Sequence, residues 1–141
     1  MKNIHATCIS FKRKGVLIIG KSGSGKSDLA LRMIMQKGAK LVSDDRTDIS
    51  KGFAFPPKNI EGLLEIRGIG IKRFPFLKKQ KIHLIVELAQ NIKEIERMPE
   101  PDFYEIEGVK LPKIKLYPFE QSALDKLEAT ITYFPSSNTF S

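Results

Sequence analysis

The whole sequence of 141 residues contains one cysteine and no long apolar run. Because Cys8 has no second cysteine to pair with, the chain can form neither an internal disulfide nor a cysteine metal site. No stretch approaches the roughly 20 apolar residues that a membrane helix needs. Residues 1–5 also lack the apolar core of a signal peptide. We therefore expect a protein of the reducing cytoplasm without a membrane segment.

Repeats, low-complexity tracts and obvious linkers are missing as well. With 41% hydrophobic and 28% charged residues, the composition is that of an ordinary globular protein. A chain of this length can bury a core without disulfides. We expect residues 1–141 to form a single domain, with a polar and frayed tail at 135–141.

The net charge of +8 raises the question of a nucleic-acid partner. The basic residues occur in short clusters, such as 12–14 and 78–81, and no RNA-binding signature accompanies them. We expect no specific nucleic-acid binding. A basic surface also attracts nucleotides and acidic protein partners.

The apolar pattern predicts an α/β domain with more strand than helix. Strands at 4–11 and 16–19 form a hairpin, and the helix that follows should end at Gly38, a residue typical of the position after a helix. A second helix should begin after Ser122, a plausible N-cap. Further strands are predicted at 39–43, 47–49, 53–55, 63–66, 82–88, 104–112 (a hairpin turning at residue 108) and 114–116.

A phosphate-binding loop joins the strand at 16–19 to the first helix. The motif G-x-x-x-x-G-K-[ST] is formed by Gly20, Lys21, Ser22, Gly23, Ser24, Gly25, Lys26 and Ser27. Its glycines let the backbone curl so that N–H groups point at phosphate oxygens. Lys26 reaches the β- and γ-phosphates, and the Ser27 hydroxyl ligates Mg²⁺. The motif predicts binding of a nucleoside triphosphate with Mg²⁺.

Several carboxylates could serve these phosphates. Asp44 and Asp45 follow the first strand after the helix, so they should emerge near the γ-phosphate, and side-chain alternation lets only one face it. That carboxylate could accept a proton from a hydroxyl. Glu87, at the end of an apolar strand, has the form of a Walker B acid, and Glu65 is a further candidate for the metal. The pattern alone leaves these alternatives open.

Taken together, four features resemble the catalytic domain of HPr kinase/phosphorylase. They are His5, 21 positions before Lys26, the phosphate-binding loop with Asp28, the stretch Leu-Val-Ser-Asp-Asp at 41–45, and Leu-Glu-Ile-Arg-Gly-Ile-Gly-Ile at 64–71. The last stretch is that family's signature. The resemblance runs from about residue 4 to residue 116 and is closest to short, alphaproteobacterial-type members without the N-terminal domain.

The resemblance implies a fold similar to the nucleotide-binding core of phosphoenolpyruvate carboxykinase. It implies an ATP- and Mg²⁺-dependent kinase that phosphorylates a serine of HPr, the carrier protein of the sugar phosphotransferase system. Many members also reverse the reaction by phosphorolysis, so phosphate and pyrophosphate are further candidate ligands. A homo-oligomer is implied too, since the long members form hexamers.

The resemblance also implies residue roles. Asp44 would accept the proton of the substrate serine and return it in the reverse reaction, and His5 would support the site next to Asp44. Lys26 would stabilise charge on the transferred group, and Arg97 falls near the family's catalytic arginine. The implied Mg²⁺ ligands are Ser27 and Glu65. The residues implied to line the substrate serine are Glu65, Ile66, Arg67, Gly68, Ile69, Gly70 and Ile71.

The sequence departs from the family's pattern near its C-terminal part. The arginine-containing loop that long members use for dephosphorylation has no match, and residues 115–122 read Lys-Leu-Tyr-Pro-Phe-Glu-Gln-Ser instead. Two other functions stay open. One is an ordinary P-loop small-molecule kinase or NTPase with Glu87 as its acid, and the other is a non-catalytic nucleotide sensor.

Overall fold

The computed structural model describes residues 1–133, so the frayed tail predicted for 135–141 lies outside the described residues. The strands are β1 (Lys2–Ile4), β2 (Thr7–Phe11), β3 (Lys14–Ile19), β4 (Lys40–Ser43), β5 (Thr47–Ser50), β6 (Phe53–Phe55), β7 (Leu63–Ile66), β8 (Gly70–Arg73), β9 (Gln80–Leu88), β10 (Asp102–Ile106) and β11 (Val109–Leu116). The α-helices are α1 (Lys26–Lys37) and α2 (Ala123–Tyr133), and the 3₁₀ turns are Lys58–Ile60 and Ile92–Glu94. Within these residues no helix has the length and hydropathy to cross a bilayer.

One mixed sheet contains nine of the strands, and β7 and β8 form a separate hairpin. At its centre β3 and β9 run parallel, and β11 runs parallel to β9. On the other side of β3 lies the antiparallel strand β2, followed by β4, which is antiparallel to β2 and so parallel to β3. The C-terminal ends of β4, β3, β9 and β11 therefore face the same edge of the sheet.

The central strands are apolar along their length because both faces of the sheet are covered. On one face, helices α1 and α2 pack through Leu29, Met33 and Leu127 onto residues such as Ile18. On the opposite face a second core includes Leu17 and the hairpin formed by β10 and β11. Alternate residues of β3 thus enter different cores, as the two-residue period of a strand requires.

Helix α1 lies between two glycines, and it ends where Gly38 predicted. Gly25 before the helix and Gly38 after it have φ values of 102° and 77°, which side chains disfavour. The Gly38 N–H donates to the carbonyl of Met33, so one otherwise unpaired C-terminal carbonyl is satisfied. The predicted helix end at Gly38 is confirmed.

The strand predicted at 4–11 is wrong in one respect, since it breaks at His5 and Ala6. Strand β1 pairs with β5, whereas β2 pairs with β3 and β4, so the chain changes partners at the break. The predicted hairpin at 104–112 and strand at 114–116 are one hairpin whose second strand continues to Leu116. Helix α2 begins directly after Ser122, as predicted, and the Ser122 carbonyl accepts from the Lys126 N–H at 2.9 Å. The Ser122 hydroxyl donates to the Glu120 carboxylate, so among the described residues it is not seen to cap the helix.

Candidate active site

A cleft of about 360 Å³ opens at the edge of the sheet where β3 and β4 end. The phosphate-binding loop and the start of α1 form one part of its wall. The remaining wall includes His5, Asp45, Glu65, Arg67 and Phe119. A strand end, a glycine-rich loop and a helix N-terminus meet here, and their N–H groups and helix dipole favour an anion.

The eight residues predicted to bind the nucleotide form the turn from β3 into α1. The Ser24 N–H donates to the Lys21 carbonyl at 3.0 Å, which closes the loop. The Lys26 ammonium donates to the carbonyls of Gly20 and Lys21, both at 3.0 Å. Burial lowers the pKa of Lys26, while the charges of Asp45 and Asp44 act in the opposite direction.

One observation of the loop itself fits a phosphate ligand. In residues 1–133, the hydroxyl of Ser24 is the only buried side-chain nitrogen or oxygen without a hydrogen-bond partner. Buried polar groups of native proteins normally have a partner. An unsatisfied hydroxyl inside a phosphate-binding loop is consistent with a ligand that brings its own oxygen atoms.

Asp44 is buried, and its carboxylate accepts three hydrogen bonds. Its Oδ1 accepts from the Ser27 hydroxyl at 2.6 Å and from the Thr7 hydroxyl at 3.0 Å. Its Oδ2 accepts from the Glu65 N–H at 3.1 Å. These bonds fix Asp44 beside the last residue of the phosphate-binding motif and tie β2, β4 and β7 together.

Asp45 has the opposite environment. Its side chain is 70% exposed, and Oδ1 lies 3.0 Å from Nε2 of His5. The residue adopts a left-handed conformation with φ of 71°, which aspartate tolerates better than most residues. The resemblance implied that His5 supports the site next to Asp44, and the partner of His5 in the structure is Asp45. The supporting role of His5 stays a prediction.

Glu65 lies on β7 with an exposed side chain at the cleft. Among residues 1–133, no three or more His, Cys, Asp or Glu side chains are grouped so that they could hold a metal by themselves. Mg²⁺ does not need such a group, because it binds through one or two carboxylates, phosphates and water. The hydroxyl of Ser27 beside the carboxylate of Asp44 is a set of hard oxygen donors that fits Mg²⁺.

Glu87 does not line the cleft. Its carboxylate accepts from the Lys113 ammonium at 2.8 Å, and Asp102 lies 3.4 Å from the same nitrogen. The hydrogen bond to Glu87 is the main reason why the pKa of Lys113 is raised. A carboxylate already paired with a lysine is a poor Walker B acid, so this geometry favours Asp44 for that position.

The remaining predicted site residues lie partly at the cleft and partly outside it. Of the signature stretch, Glu65, Ile66 and Arg67 line the cleft, and residues 68–71 form the exposed end of the β7–β8 hairpin. Arg97 is exposed in the segment 95–101 and does not line the cleft. Its catalytic role stays a prediction.

Thr7 and Phe119 are among the cleft residues that the sequence-based prediction missed. Thr7 links the two aspartates, since its hydroxyl donates to Asp44 and accepts from the Asp45 N–H at 3.3 Å. Phe119 follows β11, and it lines the cleft together with the phosphate-binding loop. A threonine in a strand and a phenylalanine after one carry no local signal of such a position.

The order of strand, phosphate-binding loop, helix and acidic strand end defines a P-loop α/β domain. Its family follows from comparison with known proteins. The chain belongs to the family described as HPr serine kinase C-terminal domain, whose model matches residues 1–123.

Relatives of known name support this assignment. The chain is 34% identical to the HPr kinase/phosphorylase of Mycoplasmopsis pulmonis over 150 aligned residues, covering 94% of this chain and 48% of the relative. It is 37% identical to that of Caldicellulosiruptor bescii over 127 residues, covering 78% and 40%. The chain therefore spans half or less of these relatives.

A solved structure shows the same fold. The HPr(Ser) kinase/phosphatase from Coxiella burnetii superposes with a TM-score of 0.83 at 25% identity, covering 96% of this chain and 97% of that one. The strand-rich α/β architecture with a C-terminal helix is thus that of an HPr kinase structure.

Proposed function

We propose that the chain is the catalytic domain of an ATP- and Mg²⁺-dependent serine kinase whose substrate is an HPr-like phosphocarrier protein. Its family and the names of its relatives support this proposal. The structural observation that carries it is that two adjacent acids have different hydrogen-bond partners. Asp44 is fixed on Ser27 of the phosphate-binding loop, and Asp45 lies in the open cleft on His5.

In this proposal the loop at 20–27 binds the triphosphate through its N–H groups. The Lys26 ammonium then donates to phosphate oxygens in place of the carbonyls of Gly20 and Lys21. Its positive charge is thereby paired with the negative charge of the phosphates. Phosphoryl transfer depends mainly on positioning and on neutralising charge, and Lys26 supplies one positive charge at the reacting group. Arg67, at the same cleft, can supply a second.

Ser27 and Asp44 would hold Mg²⁺, with Glu65 as the further ligand proposed from the sequence. Mg²⁺ held there would neutralise the negative charge of the phosphates during transfer. A carboxylate that binds a cation is a poor base, because the cation favours its ionised form. We therefore assign Asp44, which already bonds to Ser27, to the metal, and look for the base elsewhere.

Asp45 is therefore the better proton acceptor for the substrate serine. Its Oδ1 is held by His5, and its exposed side chain leaves the second oxygen accessible from the cleft. As the serine oxygen bonds to the γ-phosphorus of ATP, the bond from that phosphorus to the ADP oxygen breaks, ADP leaves, and the serine proton passes to Asp45. In the reverse direction phosphate attacks the phosphorus of phosphoserine, the bond to the serine oxygen breaks, and protonated Asp45 returns its proton to that oxygen. Phosphorolysis would then yield serine and pyrophosphate.

The test is to incubate the chain with ATP, Mg²⁺ and an HPr from the same cell, and to locate the phosphate by mass spectrometry. We expect one phosphoserine on HPr, and none with Asp45→Asn. Asp48→Asn is a matched control, because Asp48 bonds to Asn3 away from the cleft. Unmodified HPr with a folded chain that binds ATP would contradict the proposal and favour a nucleotide sensor.

Three further expectations remain proposals. The first is kinship of the P-loop core with phosphoenolpyruvate carboxykinase, and the second is assembly into a homo-oligomer, which sedimentation would measure. The third is residence in the cytoplasm without specific nucleic-acid binding. An ordinary P-loop NTPase that uses Glu87 is disfavoured by the pairing of Glu87 with Lys113.

A further inference from the structure

Phe119 presents a large aromatic side chain at the cleft, and 58% of the residue is exposed. A Cβ atom built on Gly25 would lie 2.9 Å from Cζ of Phe119, so the ring lies directly over the start of α1. Large aromatic residues normally bury their faces, because water solvates apolar surface poorly. Phe119 keeps this surface at the mouth of a phosphate-binding loop.

The segment that carries Phe119 is held in place by α1. Arg32 donates one hydrogen bond to the Pro118 carbonyl at 2.7 Å and a second to Asp28 at 3.0 Å. The ring of Tyr117 meets that of Phe119 edge-on, with centroids 5.8 Å apart and an interplanar angle of 78°. Because Asp28 and Arg32 belong to the helix that the loop begins, ring and loop are positioned together.

The order of strands places Phe119 opposite the acids. Along the edge the strands run β4, β2, β3, β9, β11, so the phosphate-binding loop after β3 is in the middle. Asp44 and Asp45 follow β4 at one end, and Phe119 follows β11 at the other. The ends of β4 and β11, which carry these residues, each lie two strand spacings from the end of β3, about 10 Å. A nucleotide with its terminal phosphate toward the acids would therefore extend its base toward Phe119.

We propose that Phe119, supported by Tyr117, is the stacking platform for the base of the bound nucleoside triphosphate. The inference rests on the proposed function only in needing a nucleotide in the cleft. Stacking involves the face of a base, which all bases share, and depends little on the hydrogen-bonding groups at its edge. The platform thus predicts that purine nucleotides bind through their base with little discrimination between ATP and GTP.

Binding measurements with ATP, GTP and inorganic tripolyphosphate separate the base from the phosphates. For Phe119→Ala we expect the ATP and GTP dissociation constants to rise about tenfold, as stacking contributions of ordinary size imply. The tripolyphosphate constant should not change. Phe119→Trp should restore nucleotide affinity, whereas Phe119→Leu, which keeps apolar bulk without an aromatic face, should restore only part of it.

Phe103→Ala is the matched control. Phe103 is also an exposed phenylalanine, but it lies on β10 with the Lys110 ammonium 4.5 Å from its ring centre. It should change neither constant. Unchanged ATP affinity in Phe119→Ala would overturn the proposal, and so would an equal loss for ATP and tripolyphosphate, which would indicate a distorted loop. Since no phosphate transfer is measured, failure to phosphorylate HPr would leave this result intact.

Discussion

Adjacent residues Asp44 and Asp45 point to different partners, and the partner of Asp45 is His5 at 3.0 Å. Asp44 instead accepts the Ser27 hydroxyl at 2.6 Å within a buried network. The left-handed backbone at Asp45 turns its carboxylate away from this network and toward the cleft. A pair that looks equivalent in the sequence thus divides into a buried acid bonded to Ser27 and an exposed acid bonded to His5, and the proposed function gives the two different roles.

The first prediction separates those roles by mutation. Asp45→Asn should lower the rate of phosphate transfer by about 10²–10⁴-fold, the usual contribution of a general base, and leave the affinity for Mg²⁺-ATP nearly unchanged. Asp44→Asn should weaken Mg²⁺-ATP binding, because it removes charge beside Ser27. Transfer rates and calorimetric dissociation constants provide the measurement. Transfer retained in Asp45→Asn and lost in Asp44→Asn with intact affinity would return the base role to Asp44.

The second prediction concerns His5 as a positioning residue. His5→Ala should lower the maximal rate by less than Asp45→Asn, because the carboxylate remains but loses its hydrogen bond. The KM for ATP should stay constant, since His5 has no contact with the phosphate-binding loop in the described hydrogen bonds. Asn3→Ala, two residues earlier in the chain, is the control. An equal rise in KM for ATP would show that His5 shapes nucleotide binding instead.

The third prediction tests the alternative acid. Glu87→Gln should leave Mg²⁺-ATP affinity unchanged, because Glu87 pairs with Lys113 outside the cleft. It should cost about 0–1 kcal/mol of unfolding free energy, as expected for a partly exposed ion pair. Glu65→Gln, measured beside it, should weaken Mg²⁺-ATP binding. If Glu87→Gln abolished that binding and Glu65→Gln did not, the ordinary P-loop interpretation would be restored.

Local features of the sequence predicted the position of the phosphate-binding loop and the end of the helix that follows it. The phosphate-binding loop and the end of α1 depend on glycines whose backbone angles are encoded locally, as at Gly38. The position of Phe119 depends on β11 pairing with β9, a contact between distant segments. The assignment between Asp44 and Asp45 depends on one left-handed residue, and aspartate permits that conformation without requiring it. Such features are set by the tertiary structure and were not predictable from spacing.

The last prediction concerns pH and rests on the position of His83 in β9. Gly15 pairs with Ile82 and Val16 pairs with Leu84, so His83 is an extra residue in β9. Because of this bulge Ile82 and Leu84 enter opposite cores, although residues two apart in a strand normally share a face. His83 Nδ1 lies 3.2 Å from the Gly15 N–H and 3.1 Å from the Lys81 carbonyl, so it can accept from Gly15 only without a proton and donate to Lys81 only with one.

Burial, and after it the charge of Lys14, lowers the pKa of His83 from its ordinary value of 6.5, although the Lys81 carbonyl acts in the opposite direction. The unfolded chain therefore binds a proton more readily than the folded one, and stability should fall as pH decreases from 6.5 to the lowered folded value. His83→Asn keeps an acceptor atom near Nδ1 but cannot titrate. Its melting temperature should match that of the unmodified chain at pH 8 and decrease less between pH 6.5 and 5.

The control is His5→Asn, since the chain contains two histidines. That variant should keep the full pH dependence of the unmodified chain, because its bulge and the bond from Gly15 to His83 are intact. Equal pH dependence in His83→Asn and the unmodified chain would mean that the folded and unfolded pKa values of His83 do not differ. A loss of pH dependence in His5→Asn would assign the effect to the pair with Asp45 instead, and would link stability to the catalytic cleft.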